Sequence, residues 1–315
     1  MCATPVIVWC HPRSCSTAFE RAFLQRKDTR AWHEPLGDPF YYAHDRACRR
    51  FDEDECAKSA SYHTSIEQTL VGILEQSATA NEGAPCRYIF IKDMALYIFS
   101  QATLHALHPD SRVFPAAETA YTQLTKGDNP TVVSTALLRR FKHTFLVRTP
   151  ERSAPSYYKC TEEHAAGFQF FDPAEMGYTE LKLLYDWIAD PSSAFHRDEQ
   201  DEEKYKAWPV QTQPMPPPLV DAAVLVAEPE ATVKHYCAQS GIPFEEEMLS
   251  WKSGRVDQFE KWGTYHDKAE KSTGFYDDSK KRQTDTKQPP IVEQTIAADM
   301  PTYEYLYEKR TILGS

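Results

Sequence analysis

The stretch Val6-Ile7-Val8-Trp9-Cys10-His11-Pro12-Arg13-Ser14-Cys15-Ser16-Thr17-Ala18-Phe19 carries the first chemistry in the chain. An apolar run ends in a turn holding one arginine and the hydroxyls of Ser14, Ser16 and Thr17, and a helical pattern follows. A helix N-terminus presents unpaired N–H groups and partial positive charge, so an arginine and hydroxyls in that turn complete a cradle for phosphate or sulfate. The same residue types also serve an ordinary helix start, with Ser14 or Ser16 as the cap and Arg13 solvated. Further on, Phe145-Leu146-Val147 ends at Arg148, and Ser156 follows eight residues later in a helical pattern through Tyr157, Tyr158 and Lys159. Arginine grips a phosphate bidentately and the serine adds a donor. A surface strand end with a capping serine is the plainer alternative.

These groups need elements to position them, and the 315-residue chain supplies the pattern. Short apolar runs at Val6–Trp9, Trp32–Glu34, Tyr88–Ile91, Thr144–Val147 and within Leu219–Val226 alternate with helical periodicity, the signature of βαβ units and a parallel sheet. Helices are predicted over Ser16–Gln25, Thr64–Ser77, about Ala95–Leu107 and Gly177–Ala189, with another from Pro229 to a stop at Gly241. Pro35–Pro39 predicts a loop. The expected organisation is one domain over 1–315, with a charged and Pro-rich connection at about 196–218 and a loop-rich C-terminal segment at about 252–315.

The chain is acidic, with 46 Asp and Glu against 35 Lys and Arg. That balance argues against a duplex nucleic-acid partner while leaving room for a local basic pocket. No run approaches a membrane span. Eight cysteines without a C-x-x-C pair, and no glycosylation sequon at Asn81 or Asn129, point to a cytoplasmic protein with reduced thiols. The turn lacks the glycine and lysine of G-x-x-x-x-G-K-[ST], and neither G-x-G-x-x-G nor H-E-x-x-H occurs. An ordinary kinase or ATPase is therefore excluded as the first reading, and no metal is expected.

Pro12-Arg13-Ser14-Cys15-Ser16-Thr17 resembles the 5′-phosphosulfate loop of the PAPS-dependent sulfotransferase family, commonly P-K-S-G-T-T. It is closer to microbial and fungal sulfotransferase-like proteins that read P-R-S-x-S-T-A-F. The Arg148 to Ser156 spacing is similar to the family's 3′-phosphate segment. Val220-Asp221-Ala222 through Gly241-Ile242-Pro243-Phe244, with Met248-Leu249-Ser250-Trp251, resembles its closing strand, helix and loop. The resemblance covers roughly the whole chain. It implies a three-layer α/β fold, a mostly parallel central sheet flanked by helices, of the P-loop-type sulfotransferase class. It further implies that 3′-phosphoadenosine-5′-phosphosulfate (PAPS) is held by Arg13, Ser14, Cys15, Ser16 and Thr17 at its 5′ end. Arg148 and Ser156 would hold the 3′-phosphate, and Lys271 and Ser272 sit where the family places a loop closing over the nucleotide. The implied reaction is sulfuryl transfer to a hydroxyl or amine of a small molecule, in secondary metabolism.

Such transfer needs a base at the attacking atom and cations near the leaving oxygen. Glu34 or His33 could be the base, Arg13 the cation, and Lys92 a contact to the sulfonate or acceptor. Local pairing of Glu34 with an arginine, a structural His33, and an ion pair of Lys92 with Asp93 or Glu34 are the alternatives. Trp251, Trp262 and Tyr265 could stack on adenine or acceptor, or pack beneath the loop. The loop departs from the common form twice. Arg13 replaces a lysine and cannot donate a proton, and Cys15 replaces a glycine, predicting a reshaped loop where positive φ is needed. Two other functions stay open: an enzyme of the same fold acting on another anionic small molecule without PAPS, and a non-catalytic nucleotide- or partner-binding protein. The sequence is silent on oligomeric state.

Overall fold

The computed structural model describes residues 3–76, 85–118, 121–125, 127–197, 202–275 and 287–313. Five parallel strands form the sheet: β1 (Thr4–Cys10), β2 (Thr29–His33), β3 (Tyr88–Met94), β4 (Lys142–Val147) and β5 (Leu219–Asp221), in the order β2-β3-β1-β4-β5. Beyond their first residue β1 and β3 are buried at every position. Successive side chains point to opposite faces, so both faces are covered, and this explains why the strands read as continuous apolar runs. The α/β expectation holds.

Helix α1 (Ser16–Leu24) shows how the core is made. Phe19 and Phe23, one turn apart, face inward, and Phe23 stacks on Phe90 of β3 with ring centroids 3.7 Å apart. Tyr236 closes the other side of both rings.

Several local expectations need correction. The helix expected over Ala95–Leu107 is a 3-10 turn, Ala95–Ile98, and a separate helix, Gln101–Leu107. Ser100 divides them because its side chain accepts from the Thr103 N–H and starts a new helix. The Pro35–Pro39 loop contains the helix Gly37–Tyr42, where Pro39 falls in the first turn and so displaces no helical hydrogen bond. The fifth strand stops at Asp221, whose carboxylate accepts from the N–H groups of Ala223 and Val224 and caps the helix Ala222–Ala227.

The C-terminal segment is not uniformly loop. It ends in the helix Pro290–Glu308, which packs on the helices Pro150–Glu162 and Tyr178–Ala189. Its Tyr303 hydroxyl donates to Asp221, 3.1 Å away. The Pro-rich connection is stitched to the domain instead of standing free: the Gln213 side chain exchanges two hydrogen bonds with the His143 backbone, at 2.8 and 2.7 Å. Among the described residues no helix is long and apolar enough to cross a membrane.

Candidate functional site

The connection leaving β1 runs to β2 on one side of the sheet, and that leaving β4 runs to β5 on the other. At such a switch point the two loops part and leave a crevice at the carboxyl ends of the strands. A cleft of about 1020 Å³ opens there. Among the described residues, six cations line it, Arg13, Lys92, Arg148, Arg152, Lys268 and Lys271, against the one carboxylate of Glu34. In a chain of net charge −11, that reversal marks a site for an anion.

The loop after β1 is held in an unusual backbone shape. Arg13 and Cys15 both lie in the left-handed region, at φ 62° and 68°. The cysteine thus adopts the conformation glycine would supply. Cys15 occupies the cap position of α1 and makes no side-chain cap; neither Ser14 nor Ser16 caps the helix. The N–H groups of the first turn therefore lack a side-chain partner and abut the cleft, which Cys15, Ser16 and Thr17 line. Ser14 does not line it. Ser14 is fully buried beneath the loop, with its Oγ unpartnered among the described residues, so its expected contact to a ligand is corrected.

Two loops are bolted together at the switch point. Arg13 Nε donates to Ser156 Oγ at 3.0 Å, its Nη1 donates to the Tyr265 carbonyl, and its own carbonyl accepts from Arg148 Nη1 at 2.9 Å. His11, which the sequence did not single out, completes the link: its Nε2 accepts from the Arg148 N–H at 3.0 Å and its Nδ1 donates to the Pro12 carbonyl. Complete burial pushes its pKa down to about 3, so it is neutral and can accept. The structure brings Arg13, Arg148 and Ser156 together as the spacing suggested.

At the far end, Glu34 and Lys92 form a buried ion pair on the cleft wall. Among the described residues Glu34 pairs with no arginine, and Lys92 does not pair with Asp93. The Asp93 carboxylate instead accepts from the N–H groups of Leu36 and Met94, both at 2.9 Å, and burial pushes it up to about 8. Burial disfavours the Lys92 ammonium, but Glu34, Cys10 and Glu20 outweigh it and hold its pKa above the usual value. Glu34 itself sits at φ 45°, a third non-glycine residue in the left-handed region around this one cleft. Such conformations cost roughly 1–3 kcal/mol each and concentrate at functional sites.

His33 is corrected as a base. It lies under the cleft, with Nδ1 against Glu20 Oε2 at 2.6 Å and Nε2 against His266 Nε2 at 3.0 Å, and neither nitrogen is open to an acceptor. Burial, then the Lys92 charge, holds its pKa well below the usual value. His33, Glu34 and His266 bring potential metal-binding atoms within 4.8 Å of one another. The Lys92 ammonium pairs with the carboxylate and the two imidazoles share a hydrogen bond.

Lys271 and Ser272 line the opposite rim, but Lys271 is exposed and paired with Asp267 at 2.8 Å. Ser272 Oγ accepts from Trp251 Nε1 at 3.0 Å, and Trp251 packs beneath the loop. Trp262 and Tyr265 do reach the cleft. With Tyr41, Tyr97, Tyr157 and Phe168, which the sequence left unassigned, they make an aromatic chamber around Glu34. These residues come from distant segments with no shared motif, so periodicity could mark them only as core.

In a comparison of sequences, residues 204–307 match the family described as Sulfotransferase domain, a span that excludes the loop after β1 and the Arg148–Ser156 segment. That match covers about a third of the chain. Among curated relatives, Branched-chain-amino-acid aminotransferase-like protein 2 of Arabidopsis thaliana is 28% identical over 149 residues, 47% of this chain and 21% of that protein. The plant's Branched-chain-amino-acid aminotransferase-like protein 1 is 25% identical over 278 residues, 87% of this chain and 37% of that protein. The chain thus spans between a fifth and two-fifths of their length. Two solved structures align along its length: the sulfotransferase domain from the curacin biosynthetic pathway (TM-score 0.40, 13% identity, 95% of this chain and 98% of that one) and the sulfotransferase domain from the Synechococcus PCC 7002 olefin synthase (0.43, 12%, 96% and 95%).

Proposed function

We propose that this cleft binds PAPS and that the protein transfers its sulfuryl group to a hydroxyl or amine of a small molecule in the cytoplasm. The observation that carries the reading is the interlock of Arg13, Ser156 and Arg148 at the switch point of a cleft whose described lining holds six cations and one carboxylate. The residues fit the nucleotide chemically. A helix N-terminus without a side-chain cap, hydroxyls at Ser16 and Thr17, and two arginines answer its anionic groups. Ala222, Ala223, Val226 and Ala227 offer an apolar wall for a flat base. When bound, PAPS supplies the activated sulfuryl group.

The chain's own groups do the rest. Glu34 Oε receives the proton of the acceptor, and Lys92 holds that carboxylate in place. Arg13 and the α1 N-terminus stabilise negative charge developing on the leaving side. The aromatic chamber excludes water and favours an acceptor with an apolar or aromatic body. The seven cysteines among the described residues are free thiols, as a reducing compartment requires.

Calorimetric titration with 3′-phosphoadenosine-5′-phosphate tests the site. Wild type binds, and Arg13→Ala and Arg148→Ala each weaken binding by roughly ten- to a hundredfold, the value of one charged hydrogen-bonding group. Glu34→Gln keeps nucleotide affinity and loses turnover. A folded wild type that does not bind the nucleotide overturns the PAPS reading and leaves the cleft to a different anionic substrate.

A further inference from the structure

A continuous buried hydrogen-bond chain runs from the interior to the loop. Glu20 Oε2 meets His33 Nδ1 at 2.6 Å, His33 Nε2 meets His266 Nε2 at 3.0 Å, and His266 Nδ1 meets Thr17 Oγ1 at 3.0 Å. Each contact holds one proton, and an imidazole that donates at one nitrogen while neutral accepts at the other. The chain therefore has two self-consistent orders. With Glu20 ionised, His33 Nδ1–H donates to it, His266 Nε2–H donates to His33, and Thr17 O–H is turned inward to His266. With one more proton shared by Glu20 and His33, every bond reverses. His33 Nε2–H then donates to His266, His266 Nδ1–H donates to Thr17, and the Thr17 hydrogen is free to point into the cleft.

We propose that Glu20, His33 and His266 are positioning residues that set the donor state of the Thr17 hydroxyl, so that an anion binding at the loop draws one proton from solvent onto the Glu20–His33 pair. The inference rests on the anion-site reading above and adds the proton. An anion needs a donor, and only the protonated order supplies one at Thr17. Glu20 is fully buried and its Oε1 has no partner among the described residues, so its charge is poorly solvated. Burial pushes it up to about 8 against the opposing pull of Lys92. Both imidazoles are held well below their usual range and stay neutral, which keeps the titration on Glu20. The groups facing the chain are Lys92 from β3, Cys10 from β1, Glu34 after β2, Lys261 from the 257–266 segment and Arg13 from the loop.

The test is titration with 3′-phosphoadenosine-5′-phosphate from pH 7 to pH 9 in buffers of different ionisation enthalpy. Wild type takes up a fraction of a proton at pH 7 that rises toward one at pH 9, and its affinity weakens by up to tenfold over the last unit. In Glu20→Gln, an isostere that cannot titrate, the protein's uptake and the loss of affinity vanish; the nucleotide's own phosphates titrate equally in both proteins. Thr17→Val, which keeps the buried chain, abolishes the coupling as well, and Thr17→Ser restores it. Binding by wild type without uptake at pH 9, or uptake unchanged in Glu20→Gln or Thr17→Val, overturns the relay while sparing the nucleotide site. A folded wild type that binds no nucleotide at any pH overturns both.

Discussion

Replacing Lys92 by methionine keeps the aliphatic stem and removes the charge. Lys92 is fully buried and Glu34 is 3% exposed, so the variant leaves a largely desolvated carboxylate without its ion-pair partner. Breaking a buried pair from one side costs about 3–5 kcal/mol, a large part of the roughly 5–15 kcal/mol that holds a domain folded. Glu34→Gln is expected to cost less. Glu34 is the largest influence raising the Lys92 pKa, so without it burial lets the amine shed its proton. Combining the two substitutions removes both charges, and the double variant should recover at least about 2 kcal/mol relative to the sum of the single losses. Urea unfolding at pH 7, followed by fluorescence of the six tryptophans, gives the four free energies. A Lys92→Met variant within about 1 kcal/mol of wild type, or a double variant no better than additive, would refute the buried pair. It would also remove the support that holds Glu34 as base.

Three further outcomes follow from named contacts. His11 is neutral in the fold with its pKa near 3 while an unfolded histidine titrates near its ordinary value, so its contribution is present above that value and is lost as pH falls toward 3. Between pH 7 and pH 5 wild type should therefore lose about 2 kcal/mol more than His11→Gln, measured by urea unfolding at both pH values; parallel losses would contradict the burial. Cys15→Gly, at φ 68°, should be neutral or stabilising by up to about 1 kcal/mol, and a clear loss in thermal unfolding would show that the cysteine side chain is needed. Gly37→Ala puts a Cβ 2.6 Å from Trp262 Cζ2, forcing that ring out of the chamber wall. Its expected signature is a loss of about 1–3 kcal/mol and a raised KM for the acceptor with unchanged nucleotide affinity.

What could be read in advance divides along a physical line. The Pro12–Thr17 turn and the Arg148-to-Ser156 spacing were legible because each lies within one strand–turn–helix unit, where local backbone rules decide the position of side chains. His33 was misplaced as a base for the opposite reason: its two partners, Glu20 and His266, are distant in sequence, and only the packed fold brings them within hydrogen-bond reach. Ser14 was misassigned because a turn pattern does not say which of two neighbouring hydroxyls points inward, and here the left-handed residues on either side turn it under the loop.

The amino-acid sequence alone determined the alternation of strands and helices, the parallel sheet that apolar runs require, and the arginine- and hydroxyl-bearing turn at its first strand end. These follow from hydrophobic periodicity and from chemistry within a few neighbouring residues. The tertiary structure decided the rest: that Lys92 neutralises Glu34, that His11 ties the loops after β1 and β4, that the 252–275 segment lies across the cleft through Arg13, Arg21 and Lys261, and that Thr17 ends a buried hydrogen-bond chain. Each of those facts depends on side chains far apart in sequence meeting in a space that water has left, where burial sets both the charge state and the direction of every hydrogen bond.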